Sequence, residues 1–190
     1  TVAPNVYWTD GYGRVSYTTN SIISPVVKIA LKEFAGDMKA VTGFDAKEKS
    51  GAPIQIYQLD QLTNKEFSAV EKLGAPLHLI ITARDAFYIG TRKGKLIVIG
   101  SNARGTAYAI MKLSELAGVS PLAAWNDLQP AQRKSLYTPV DQQWIEVPRI
   151  EFRGLALNNS QWMKPQNYSR IARLMLRLRA NTLWQVDGKH

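Results

Sequence analysis

Side chains able to bind a ligand stand at or just beyond the ends of two predicted strands, residues 150–157 and 182–186. They are Asn158, Asn159, Trp184, Asp187 and His190. In a barrel of parallel strands, the loops after the carboxyl ends hold the functional residues, so we expect these five to face a substrate. Trp184 could stack on a flat ring, and His190 could form a hydrogen bond. The alternative is that Trp184 belongs to a barrel core and that His190 is merely a chain terminus.

The element between these two strands is predicted to be an amphipathic helix over residues 168–180. Apolar residues recur there at i, i+3, i+4 and i+7, and another face carries Arg170, Arg173 and Arg177. A strand, a helix and a strand within about forty residues form one right-handed βαβ unit with parallel strands. A lone parallel pair cannot bury both faces, so we expect residues 148–190 to be the first βαβ unit of a truncated (β/α)8 barrel.

The first 120 residues predict a small α/β (α+β) sandwich with a mixed sheet. Two short strands are expected before residue 23. Helices are expected behind caps at Ser24, Thr63 and Asn102. Strands are expected at 54–57, 77–82, 86–91 and 96–99, the last two forming a hairpin around Lys93-Gly94.

Residues 121–147 show neither helical nor strand periodicity. We interpret them as a packed linker that crosses from the sandwich to the barrel segment, anchored by Trp144. The predicted domains are therefore an accessory domain at 1–120, this linker, and the start of a catalytic barrel at 148–190.

Composition excludes several functions. The absence of cysteine rules out disulfides, thiolate metal sites and a cysteine nucleophile. The two histidines lie far apart, so neither a metal site nor a cofactor is expected, and His78 is predicted to be a structural histidine in a strand. No apolar run is long enough to span a membrane.

The formal net charge of +9 admits an anionic partner such as nucleic acid or an acidic polysaccharide. Lysine and arginine are scattered without a long run, and no nucleic-acid motif accompanies them. A solvated basic surface is the simpler interpretation, and no nucleic-acid partner is expected.

A glycine-rich junction between the hairpin and the next helix invites a phosphate-loop interpretation. The lysine that such a loop needs after its second glycine is missing. We predict instead that Asn102 caps the helix, that Gly105 allows close packing, and that Arg104 ties the helix start to a neighbouring carbonyl or carboxylate.

Several stretches resemble a known enzyme group. Residues 153–158 (RGLALN) and 176–184 (LRLRANTLW) are similar to the opening of the catalytic barrel in glycoside hydrolases with a preceding α/β domain, namely hexosaminidases of family 20 and α-glucuronidases of families 67 and 115. Residues 34–43, 99–108, 118–121 and 125–128 are similar, in the same order, to family 115, to which the likeness is greatest.

This resemblance implies a secreted or periplasmic hydrolase that removes glucuronic acid from plant polysaccharide. Such hydrolysis needs two carboxyl groups. After Pro148 the only acidic residues are Glu151 and Asp187. Glu151 comes before the carboxyl end of its strand, which is the wrong end for barrel chemistry. In that family the first barrel strand ends in Asn followed by acidic residues, whereas Asn158 is followed here by Asn159 and Ser160. No catalytic residue is therefore assigned, and the fragment itself is expected to be inactive.

Other functions remain open at this point. The chain could be a non-catalytic module that binds carbohydrate or a partner protein, with Trp8, Trp125 or Trp144 as platforms. The uncovered strand pair also predicts self-association through residues 150–190, or disorder there.

Overall fold

The computed structural model describes residues 4–157 and 164–185. Its strands are Asn5–Tyr7 (β1), Ser16–Thr19 (β2), Lys47–Glu48 (β3), Ile54–Gln58 (β4), Phe87–Arg92 (β5), Lys95–Gly100 (β6), Tyr137–Pro139 (β7), Gln143–Glu146 (β8), Gly154–Leu157 (β9) and Thr182–Gln185 (β10). Its α-helices are Pro25–Thr42 (α1), Asn64–Glu71 (α2), Ala103–Leu116 (α3) and Pro165–Arg177 (α4).

Six strands form one mixed sheet in the order β3-β2-β4-β6-β5-β8. The strands β3, β2, β4 and β6 are parallel neighbours, whereas β5 runs antiparallel to both β6 and β8. The predicted hairpin is confirmed, with Arg92 opposite Lys95 beside the Lys93-Gly94 turn. The mixed α/β architecture predicted from the sequence is therefore confirmed.

The sheet is covered on both faces. Helices α1 and α3 pack over one face and bury Phe34, Met38 and Ile110 against Ile56 and Val98. The other face carries α2 and a short 3-10 turn, and its separate core holds residues Leu59, Val70, Ile80, Tyr88, Ile97 and Ile99. Alternate side chains of β6 serve opposite cores, as the two-residue period of a strand requires.

The helix starts follow the predicted signals. Thr63 forms a capping box with Glu66, and the Asn102 side chain accepts a hydrogen bond from the Gly105 N–H. Ser24 stands before Pro25 as predicted, but its side chain does not cap α1. Its backbone N–H donates to Gln58 Oε1 and its hydroxyl accepts from Gln58 Nε2, because this buried amide of β4 competes for the same groups.

The predicted strand over residues 77–82 is wrong. Residues Leu77–Leu79 form a 3-10 turn, with Ile80 buried and Leu79 and Ile81 exposed. The edge of β5 away from β6 is occupied by β8, so this apolar run packs over the sheet instead of joining it. His78 is exposed in that turn, which also corrects the prediction of a structural histidine in a strand.

Residues 121–147 contain two strands that the sequence did not predict. β7 pairs antiparallel with β1, and β8 extends the main sheet at β5. Trp144 of β8 packs against the larger core, as expected of an anchor. The short strand β3 was also not predicted.

The βαβ unit is confirmed in the last part of the chain. β9 and β10 are parallel neighbours, with Leu155 opposite Leu183 and Ala156 opposite Trp184. Between them, α4 buries Ile171, Met175 and Leu176, and Leu176 joins the larger core of the sandwich. α4 begins three residues before the predicted helix and ends three residues earlier.

The described residues offer neither a membrane-spanning helix nor a cluster of metal ligands. None of their helices is long and apolar enough to cross a membrane. No group of three or more His, Asp or Glu side chains in residues 4–157 and 164–185 is arranged to hold a metal ion.

Candidate functional site at the ends of the parallel strand pair

The carboxyl ends of β9 and β10 lie side by side. Leu157, the last residue of β9, is opposite Gln185, the last residue of β10. The chain therefore leaves both strands at one edge, where barrels hold their functional residues. The predicted site residues Asn158, Asn159, Asp187 and His190 follow these ends directly, and they lie outside the described residues.

Trp184 is the predicted site residue that the structure describes. Its side chain is 68% exposed on β10, opposite Ala156 of β9. A large aromatic ring on a strand face is a surface on which a sugar ring or another apolar group can pack.

The amino ends of the same strands are bound to the sandwich. Asn181, directly before β10, accepts from the Arg153 N–H at 2.9 Å and donates to the Glu151 carbonyl at 2.7 Å. Its amide also donates to Asp85 Oδ2 of the sandwich at 3.1 Å. The Tyr108 hydroxyl of α3 donates to the carbonyl of Ala180 at 3.1 Å.

Asp85 is the carboxylate around which these groups gather. It is 2% exposed, and its two oxygens serve different parts of the chain. Oδ1 accepts from Arg104 Nε at 2.9 Å and from Asn102 Nδ2 at 3.1 Å, whereas Oδ2 accepts from Asn181 and lies 3.4 Å from Arg153 Nη2. The predicted role of Arg104, tying the start of α3 to a neighbouring carboxylate, is thus confirmed.

The protonation of Asp85 follows from this setting. Burial by itself would raise the pKa of the carboxyl, but hydrogen bonds from Arg104, Asn102 and Asn181 outweigh it and hold the pKa below its ordinary value. Asp85 is therefore ionised at neutral pH and fully occupied as an acceptor. Such a group binds and orients its neighbours, and it is not poised to donate a proton.

A second set of ion pairs joins the βαβ unit to the sandwich helices. Arg177 of α4 forms a two-pronged pair with Asp37 of α1, at 2.8 and 2.9 Å, and contacts Glu33 at 3.2 Å. Burial lowers the pKa of Arg177, but these two carboxylates outweigh burial and raise it.

Arg179, two residues beyond α4, reaches two further acids. Its Nη2 donates to Glu115 Oε2 of α3 at 2.7 Å. Its Nε lies 2.7 Å from Glu146 Oε2 of β8, an ion pair without hydrogen-bond geometry. Burial tends to raise the pKa of Glu115, but Arg179 and Lys112 outweigh it and lower the pKa.

Glu151 has a structural partner at the amino end of β9, where its carboxylate forms an ion pair with Arg84. This position agrees with the expectation that Glu151 stands at the wrong end for barrel chemistry.

An apolar groove of about 660 Å³ runs between α1, α3, α4 and β10. Val26 and Ile29 form one wall, and Tyr168, Met175 and Leu183 form the other.

The three tryptophans considered as binding platforms differ in exposure. Trp8 is buried and donates its Nε1–H to Thr138, so its prediction as an exposed platform is wrong. Trp125 is half-buried, with the Arg170 guanidinium 4.2 Å from its ring centroid, and Trp144 is half-buried in the larger core.

Sequence reasoning missed the central residue of this arrangement. Asp85 stands in a turn between an apolar run and a strand, where an acidic residue is ordinary. Its backbone has a φ of 57°, a left-handed conformation that Asp tolerates better than most residues. Arg153 and Asn181 were noticed in the resemblance, but no sequence signal joins them to a carboxylate in the sandwich.

Comparisons with known proteins give matches among solved structures. No protein-family model and no curated protein sequence matches the chain significantly. The structure is similar to a family 115 4-O-methyl-α-glucuronidase with specificity for decorated arabinogalactans, at 28% identity and a TM-score of 0.79, over 91% of this chain and 25% of that one.

Two other solved enzymes share the fold at lower identity. The family 20 chitobiase of Flavobacterium johnsoniae is 16% identical, with a TM-score of 0.60 over 97% of this chain and 25% of that one. A family 138 enzyme that targets pectin rhamnogalacturonan II is 12% identical, with a TM-score of 0.57 over 92% of this chain and 19% of that one.

These matches define the class as a glycoside-hydrolase-like α/β domain followed by a βαβ unit. The predicted resemblance, including that to family 115, is confirmed. The chain spans about a quarter of the length of the family 115 enzyme and of the chitobiase.

Proposed function

We propose that this chain is the N-terminal part of a larger, secreted or periplasmic glycoside hydrolase of the α-glucuronidase type. Residues 1–120 would be its accessory domain, residues 121–147 a packed linker, and residues 148–190 the start of its (β/α)8 catalytic barrel. The substrate would be a plant polysaccharide that carries glucuronic acid. The observation that carries this proposal is the likeness to the family 115 enzyme over 91% of the chain.

The geometry of the strand pair supports the same proposal. The amino ends of β9 and β10 are bonded to the sandwich, so their carboxyl ends face away from it, as the site of a barrel would need. Trp184 and the residues that follow Leu157 and Gln185 would then line one side of a sugar site, with Asn158, Asn159, Asp187 and His190 as substrate-binding residues.

We propose further that the 190-residue chain does not hydrolyse glycosides by itself. Two acidic residues are described near the strand pair, Asp85 and Glu151. Both lie at the amino ends of β9 and β10 and form ion pairs with arginines, so neither is placed to act on a substrate at the carboxyl ends. The net charge of +9 suits an acidic polysaccharide.

The test is to determine the natural reading frame and to assay its product. We expect a chain much longer than 190 residues that releases glucuronic acid from glucuronoxylan or arabinogalactan, measured by anion-exchange chromatography. The 190-residue chain, assayed in parallel, should release none. A natural stop after His190, or a long product that acts only on neutral glycans, would overturn the proposal. Uronic-acid release by the short chain would overturn the assignment of the site.

The alternative function is a non-catalytic module that binds carbohydrate or protein. The exposed Trp184 ring favours it over a purely structural role. Binding of oligosaccharides to the chain alone, lost in Trp184→Ala and kept in Trp144→Phe, would support this alternative. If titration calorimetry detects no heat of binding with neutral or acidic oligosaccharides, the chain is not a carbohydrate-binding module.

A further inference from the structure

The carboxylate of Asp85 contacts three separate pieces of the chain at one buried point. On the basis of the proposed function, we propose that Asp85 is a positioning residue: it fixes the amino ends of β9 and β10 on the sandwich. The sandwich would then be a rigid part of the catalytic unit, and not a mobile binding module joined by a linker.

The two oxygens of Asp85 divide this work. Oδ1 receives Arg104 and Asn102 from the start of α3, so the carboxylate is held by a helix of the sandwich core. Oδ2 receives Asn181 before β10 and faces Arg153 before β9. The residues before both strands therefore contact the same atom of the sandwich, Oδ2 of Asp85.

Asn181 and Arg153 carry this constraint into the strand pair. The Asn181 N–H and the Thr182 N–H both donate to the Arg153 carbonyl, at 2.7 and 3.0 Å, and Asn181 Oδ1 accepts from the Arg153 N–H. Gly154 directly follows, and a Cβ there would lie 1.6 Å from the Thr182 carbonyl oxygen. The backbones of the two strands are therefore in close contact directly beside the residues that Asp85 holds, and no side chain fits between them.

Only an ionised carboxylate fits this place. All four neighbours of Asp85 are N–H donors, and a carboxylate accepts at both oxygens without donating. An asparagine would turn an NH2 group towards one pair of donors, whichever way its amide is oriented. The Asp85→Asn substitution therefore preserves shape, but it removes the negative charge from all four hydrogen bonds, those of the strand side included, and leaves one pair of donors without an acceptor.

The charged and titratable groups facing Asp85 come from each element packed against it. They are Arg104 and Tyr108 from α3, Arg153 before β9, and the adjoining Arg84–Glu151 pair. Since the pKa of Asp85 is depressed, its stabilising contribution is complete above the ordinary pKa of an aspartate and is lost as pH falls through the lowered value. Acid should therefore loosen the attachment of the strand pair to the sandwich.

The experiment is amide hydrogen exchange on the intact 190-residue chain, read separately for β9–β10 and for β4–β6. In Asp85→Asn, protection in β9 and β10 should fall about ten- to a hundredfold, as expected for a lost set of charged hydrogen bonds, while β4 and β6 keep theirs. Asp45→Asn is the matched control, because Asp45 is exposed beside Lys39 and does not touch the strand pair. A protection loss of equal size in that control would overturn the proposal.

The pH profile separates positioning from a general structural role. In the native chain, protection factors of β9 and β10 should drop on acidification towards and below pH about 4, the ordinary range of an aspartate. In Asp85→Asn a smaller drop should remain, because Glu115, whose pKa is lowered by its pairing with Arg179, still titrates at the contact. If Asp85→Asn does not fold, the test uses the pH profile of the native chain together with the variant Asn181→Ala. In that variant the amide protection of β10 should fall before that of β9. Unchanged protection in Asn181→Ala, or a pH profile of β9 and β10 that is the same in Asp85→Asn as in the native chain, would overturn the proposal. None of these measurements depends on enzymatic activity, so their failure would leave the proposed hydrolase function standing.

Discussion

Asp85 and Asn181 lie 96 positions apart in the chain, and a 3.1 Å hydrogen bond joins the buried carboxylate of one to the amide of the other. The bond links the turn before the amino end of β5 in the sandwich to the residue before the amino end of β10 in the βαβ unit. Because the same carboxylate also holds the start of α3, the two parts of the chain meet through a polar cluster that is fully paired. The ion pairs of Arg177 and Arg179 extend this contact along α1, α3 and β8.

Arg177 should be a strong contributor to the stability of this contact. Its side chain is only 10% exposed, and Arg177→Gln would leave Asp37 and Glu33 without their main cation. We expect a loss of about 2–4 kcal/mol in the free energy of unfolding, near the range for a broken, largely buried pair. Urea denaturation followed by circular dichroism measures it.

Arg173→Gln is the control on the same helix. Arg173 also pairs with Glu33, at 3.3 Å, but its side chain is 52% exposed. An exposed pair contributes about 0–1 kcal/mol, so this variant should unfold almost like the native chain. Equal losses in the two variants would show that burial does not decide the strength of these pairs.

Two glycines in helices should respond to alanine in opposite directions. A Cβ at Gly105, in the first turn of α3, would lie 2.3 Å from the Ala86 carbonyl oxygen, so Gly105→Ala should destabilise by about 1–3 kcal/mol. A Cβ at Gly36 in α1 meets nothing within 4 Å, so Gly36→Ala should stabilise by about 0.5–1 kcal/mol. Thermal unfolding of both variants tests this, and a stabilised Gly105→Ala would refute the close packing of α3 against the turn before β5.

Glu66 should make stability depend on acid. Backbone hydrogen bonds from Ser21 and Thr63 lower the pKa of Glu66 from 4.5 to about 2. Its contribution is therefore complete above pH 4.5 and is lost as pH falls towards about 2. Glu66→Gln should be less stable than the native chain at neutral pH, and the difference should shrink across that interval.

Glu71→Gln provides the comparison for this pH dependence. Glu71 is an exposed carboxylate at the other end of α2, so Glu71→Gln should unfold almost like the native chain. Urea titrations at several pH values give both slopes. A Glu66→Gln difference that is constant with pH would contradict the hydrogen bonds assigned to this carboxylate.

The strand pair should make the isolated chain self-associate. Phe152, just before β9, is 72% exposed, and Trp184, on β10, is 68% exposed. The outer edges of β9 and β10 have no neighbouring strand among the described residues. Exposed apolar groups on open strand edges favour pairing with another copy. Sedimentation velocity should show a concentration-dependent dimer that is weakened in Trp184→Ser and Phe152→Ser.

Leu128→Ser serves as the control for self-association, since Leu128 is 65% exposed in the loop before β7 and does not belong to the strand pair. It should leave the sedimentation profile unchanged. A native chain that stays monomeric at high concentration would contradict the prediction, as would a Leu128→Ser variant that dissociates as readily as Trp184→Ser.

Much of the fold was predictable because its signals are local. Pro25 and Gly43 bound α1, where Gly43 takes the left-handed conformation that ends the helix. The Thr63–Glu66 capping box starts α2, and Lys93-Gly94 turns the hairpin. Each signal acts within a few residues of the backbone it shapes, so no knowledge of the rest of the fold was needed.

The failures have a common physical origin in competition for partners. Residues 77–82 have strand-like composition, but β8 occupies the available edge of the sheet, and β propensity depends on such context. β8 itself has only four residues, too few for a period to be recognised, and it is stabilised by pairing with β5. Ser24 precedes α1 as predicted, yet Gln58 takes the hydroxyl expected to cap it.

The sequence by itself determined the four helices, most strands of the main sheet, the βαβ unit and the family resemblance, because periodicity, caps and turn residues act over short distances along the chain. The tertiary structure alone decided which acid meets which arginine. Asp85, Glu115 and Glu146 look like any other surface acids in the sequence, and Arg153, Arg177 and Arg179 look like any other basic residues. Only the packing of α4 and the strand pair on the sandwich brings these charges together and removes them from water, where their pairing becomes strong enough to hold the two parts in place.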